Sequence, residues 1–83
     1  MENRIAAISV LVEDPSSVEA LNSLLHSYAP YILGRMGIPY REKGLNIICL
    51  AIDAPLDVIN TLTGKLGRLS GVSAKAVYSR NSN

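Results

Sequence analysis

Residues 8–18, ISVLVEDPSSV, and residues 48–58, ICLAIDAPLDV, carry the same pattern twice. A shift of 40 residues lays Ile8, Val10, Val12, Glu13, Pro15 and Val18 over Ile48, Leu50, Ile52, Asp53, Pro55 and Val58. Recurrence at a fixed period marks a repeated supersecondary unit. In each copy a run of apolar, largely β-branched residues reads as a strand, and the acidic residue and proline that follow end it. Each half is then completed by a helix and a second strand.

The strand of the first half runs from Arg4 to Val12. Ser16 and Glu19 fit a capping box at the start of a helix over 16–28, in which the hydroxyl accepts from a backbone amide and the carboxylate reaches back. Val18, Leu21, Leu25 and Tyr28 share one helix face. Residues 31–40 read as a strand with Ile32, Met36 and Ile38 in alternation, weakened by Gly34 and Gly37. The turn Arg41-Glu42-Lys43-Gly44 closes a hairpin, since glycine accepts the positive φ such a turn needs.

In the second half Leu45 to Ile52 is apolar on both faces, with Ile48, Leu50 and Ile52 on one side and Leu45, Ile47, Cys49 and Ala51 on the other. Pro55 suits a first helical turn, where Asp53 and Asp57 complement the helix dipole. Ile59, Leu62, Leu66 and Leu69 mark the helix, Val72 to Ser79 the last strand, and residues 80–83 a loose tail. Two such units give βαββαβ. Right-handed crossovers place both helices on one face of a four-stranded antiparallel sheet, which is an α+β, ferredoxin-like sandwich. No element remains to cover the other face, so a second subunit is expected there.

With 83 residues the chain is expected to be one domain, near the lower limit for a self-sufficient core. Its single cysteine allows no internal disulfide and no zinc site of paired Cys-x-x-Cys elements, which leaves oligomerisation as the extra stabiliser. A hydrophobic content of 48% comes without any run near the ~20 residues of a membrane span. The start lacks signal-peptide features, and with a free cysteine this points to the cytoplasm. A net charge of +1 with mixed signs gives no nucleic-acid footprint, so direct nucleic-acid binding is not expected.

Residues 64–71, GKLGRLSG, look like a phosphate loop but fail the order of one, because they end a helix instead of opening it. Gly71 suits a left-handed cap, while Gly64 and Gly67 cost helix stability and would allow close approach of a neighbouring backbone. His26 and Cys49 are isolated potential ligands, and no metal or other cofactor is expected. Glu13 and Asp14 as adjacent carboxylates suit a turn and cap better than an acid/base pair. No acid, base or nucleophile converges with another, so no catalytic residue is assigned and an enzyme is not expected. The turn Glu13-Asp14-Pro15-Ser16-Ser17 is the best candidate for a ligand, with Glu13, Asp14, Ser16 and Ser17 as its polar groups where helix-start amides converge. Its alternative is a capping motif and nothing more.

Residues 31–77, with G-x-P-x-R-E at 37–42 and T-G-K-L-G-x-L-S-G-V at 63–72, together with LVEDPSSVEALNSLLHSYAPYI at 11–32, resemble the small ACT-like proteins of the iron-only hydrogenase system regulator family. The resemblance covers almost the whole chain. It implies an ACT-like fold over residues 1–83, assembly into dimers or tetramers, and a part in transcriptional regulation. Similar domains serve nickel-responsive repressors through clustered histidines and a cysteine; that cluster and an N-terminal DNA-binding arm are both missing here. The Asp14-Pro15-Ser16 turn keeps part of the D-x-P-G turn with which ACT domains hold amino acids. The expected role is a non-enzymatic, small-effector-sensing regulator. The alternative is a protein interaction module for a regulator or enzyme, such as a DNA-binding protein partner.

Overall fold

Parity sorts the strands. In β1 (Asn3–Val12) the even positions from Ala6 to Val12 are buried and the odd ones exposed. In β3 (Leu45–Pro55) Ile48, Leu50, Ile52 and Ala54 are buried in the same way. The computed structural model describes residues 2–80, and in it these two strands pair antiparallel at the centre of the sheet, with Ala6 opposite Ile52 and Val10 opposite Ile48. β4 (Val72–Tyr78) lies outside β1 and β2 (Ile32–Tyr40) outside β3, giving the order β2-β3-β1-β4 with all neighbours antiparallel.

Helices α1 (Val18–Ser27) and α2 (Leu56–Gly67) follow β1 and β3. They bring Leu21, Leu25, Ile59, Leu62 and Leu66 against the even face, where one core joins them to Ile8, Val10, Leu50 and Ile52. Each such side chain contributes about 1.5–3 kcal/mol on burial. The order is βαββαβ, the expected ferredoxin-like sandwich with two helices on one face. Among the described residues no helix is long and apolar enough to cross a membrane.

Three local readings change. The register of β2 shifts between Ile32 and Gly34, so Leu33 is an extra residue at a bulge. Ile32 therefore faces the helices, whereas Met36 and Ile38 lie opposite Cys49 and Ile47 on the other face; simple alternation fails because a bulge inverts parity. β3 continues to Pro55, three residues beyond the expected end, since Asp53 and Ala54 still pair with Ile5 and Arg4. Residues 15–17 form a 3-10 turn ahead of α1, and the capping box gives way to an Asp14 cap. The hairpin turn and the cap before β4 form as expected, with Gly44 at φ 61° and Gly71 at φ 67°. Of the tail expected at 80–83, residues 81–83 lie outside the described residues.

Candidate functional site

The turn after β1 is held by its own side chains. Ser16 N–H and Ser16 Oγ–H both donate to Asp14 Oδ1, at 2.9 and 2.7 Å. Ser17 N–H donates to the Asp14 carbonyl at 3.0 Å. The Ser16 hydroxyl first, then the Ser16 amide and the Ser70 side chain, lower the Asp14 pKa from its ordinary value because their hydrogen bonds favour the charged carboxylate. A carboxylate immediately before proline reaches the amide two residues on, and so takes the Ser16 N–H that the Glu19 carboxylate of a capping box would have used.

A second turn straps the first. Ser17, buried, donates its Oγ–H to the Ser70 carbonyl at 2.6 Å, and Glu13 N–H donates to the Gly71 carbonyl at 2.7 Å. Gly71 comes so close that a Cβ on it would lie 2.6 Å from Asp14 Cβ and 2.9 Å from the Asp14 amide nitrogen. Glu13, Asp14, Ser16 and Ser17 thus gather at one end of the molecule, with Glu13 and Ser16 exposed and Ser17 turned inward. GKLGRLSG supplies this strap at its end. Its Gly64 and Gly67 fall within α2, and within this chain a Cβ on Gly67 would meet nothing within 4 Å. Lys65 Nζ lies 5.5 Å from the centroid of the Tyr28 ring, joining the end of α2 to the end of α1.

Beside the turn, a cleft runs between α1 and β2. Arg35 stands in it, and its Nη2 donates to Asn22 Oδ1 at 3.1 Å. The hollow on one side, about 220 Å³, is lined by Val12, Val18, Leu21, Gly37 and Ile48 among others. The sequence reading missed Arg35 and Asn22. Period-two alternation through Gly34 and Gly37 gives no sign of which way Arg35 faces, and only the bulge decides it.

The face of the sheet away from the helices exposes many apolar side chains, with Lys75 opposite Ser9 among them. It presents Ile5, Leu11, Met36, Ile38, Tyr40 and Val77, with Met36 62% and Val77 70% exposed. Cys49 is half-buried on this face and not in the helix-side core, while His26 is exposed on α1 across the sheet. Among the described residues no three of His, Cys, Asp and Glu come together as a metal site would require.

A family model described as "TM1266-like: Iron-only hydrogenase system regulator, putative" matches residues 4–76. Among solved structures, the uncharacterized protein TM1266 from Thermotoga maritima is 36% identical and superposes with a TM-score of 0.91, over 95% of this chain and 100% of that one. No curated protein matches the chain.

Proposed function

The chain belongs to the TM1266-like family, and from that premise we propose that it is a non-enzymatic regulatory domain of the cytoplasm, working as a homo-oligomer, a dimer or a tetramer. We place a small effector beside Glu13, Asp14, Ser16 and Ser17. The family's description as a regulator of the iron-only hydrogenase system supports the regulatory role.

The observation that carries the assembly is the bare sheet face. Ile5, Leu11, Met36, Ile38, Tyr40 and Val77 are exposed there around the half-buried Leu45, Ile47 and Cys49. Four strands of this length span roughly 20 by 30 Å, or about 600 Å². That is the order of what one partner buries in a standard interface, about 800 Å². A second copy offers the same apolar patch, and a twofold contact asks only for a self-complementary one. Sedimentation at micromolar concentration should show a dimer or tetramer. Met36→Glu should shift it to a monomer with unchanged circular dichroism, because a charge would be buried without a partner at the contact. A compact wild-type monomer would sink the assembly.

A second reading, an interaction module for a regulator or enzyme partner without a small ligand, is favoured by the turn itself. Asp14, Ser16 and Ser17 already spend donors and acceptors on one another and on Ser70. Thermal shift with amino acids, nucleotides and divalent metals separates the two, since a ligand bound only by the folded chain raises Tm. Silence across that panel would favour the module, with a DNA-binding protein as one candidate partner.

A further inference from the structure

The cleft beside the turn has a chemistry of its own. Beyond Ile32, the helix-facing positions of β2 are Arg35, Gly37 and Pro39, opposite Leu50, Ile48 and Asn46 of β3. None of the three presents a branched aliphatic side chain for α1 to pack on, and the hollow of about 220 Å³ stays open. Its wall is apolar at Val12, Val18, Leu21 and Ile48. At its rim Arg35 makes one hydrogen bond, to the neutral amide of Asn22, and pairs with no carboxylate among the described residues. A guanidinium carries five N–H donors in a planar fork that matches a carboxylate. Most of that fork is unused.

The geometry points to a binding site for a small carboxylate with a branched aliphatic body, its carboxylate on Arg35 and its alkyl group against Val12, Val18 and Leu21. No Asp or Glu lines the hollow, so the ammonium of an amino acid would find no carboxylate there, only the neutral amides of Asn22 and Asn46. A plain acyl acid therefore fits better than an amino acid. Val12 and Val18 bracket the 13–17 turn, and the inference rests on the effector reading above while naming the chemistry of the effector.

The test is a titration of the isotopically labelled full chain with 4-methylpentanoate, up to about 10 mM, followed by amide shifts in NMR. Saturable shifts at Asn22, Arg35 and Gly37 are expected, with the uncharged 4-methylpentanamide and leucine each binding at least about tenfold more weakly. Arg35→Gln should weaken the acid by about tenfold or more, which is the scale of a lost charge-assisted pair. Gly37→Val fills the hollow without touching the charge. A Cβ there meets nothing within 4 Å, so this variant should fold and still lose the acid. Equal binding of the amide or of leucine, unchanged affinity in either variant, or no saturable shift would overturn the assignment. Shifts confined to residues 13–17 would overturn it too while leaving the effector turn standing; silence here and across the thermal-shift panel would remove both.

Discussion

Set the second repeat unit beside the first. Under α2, β4 offers the small half-buried Ala74 and Ala76, and Ile59, Leu62 and Leu66 sink onto the sheet to zero exposure. A polar stitch holds the same unit, where Tyr78 Oη–H donates to Asn60 Oδ1 at 2.8 Å. Under α1, β2 offers Ile32 at its start and then Arg35, Gly37 and Pro39, and only Leu21 and Leu25 are fully buried, with Val18, Leu24 and Tyr28 half-covered. The two helices have similar apolar spacing. The difference comes from the edge strand beneath each, so the packed unit acts as scaffold and the looser one keeps a cleft.

If that contrast is right, the largest effects belong to the packed unit. Leu62→Ala should cost about 3–5 kcal/mol in urea unfolding and Leu21→Ala about 2–3, because a site beside an open cleft can relax into the space left behind. Equal losses would erase the contrast. The next test compares the two turns that enter the outer strands. Gly71→Ala should cost about 2 kcal/mol or more, since alanine would face both a positive φ and the Asp14 backbone. Tyr31→Ala, at the equivalent place in the first unit and partly exposed, should cost under about 1 kcal/mol by the same measurement.

The smallest effect is the acid response of the strap. Asp14 has a lowered pKa in the folded chain, so its contribution to stability is present above the ordinary carboxylate value and disappears as pH falls through the folded one. Urea midpoints of wild type and Asp14→Asn should therefore differ most above about pH 5 and converge toward about pH 2. A gap that stays constant with pH would assign the Asp14 bonds no ionic part.

The repeat made the fold legible. Strand, acidic residue, proline and helix recur at one period, and the central strand carries apolar residues on both sides, which was enough to foresee the topology and the bare face. The site was harder to read. Asp14 and Ser16 were visible as a polar turn, but that the Asp14 carboxylate would take both Ser16 donors depends on competition between two local caps. The Ser70–Gly71 strap joins residues more than fifty positions apart, and nothing local in either turn announces it. Arg35 was hidden for a geometric reason, because the bulge at Leu33 decides its side and lies between residues with little periodicity of their own.

That bulge reaches beyond one strand. With the register unbroken from Ile32, Arg35 would fall opposite Cys49 and Met36 opposite Ile48, which exchanges the two sides of β2. The cleft would fill with methionine and isoleucine, and the sticky face would gain a cation. Deleting Leu33 would remove only the extra residue and leave Arg35 opposite Leu50, so the bulge is what keeps recognition chemistry on one side of β2 and assembly chemistry on the other.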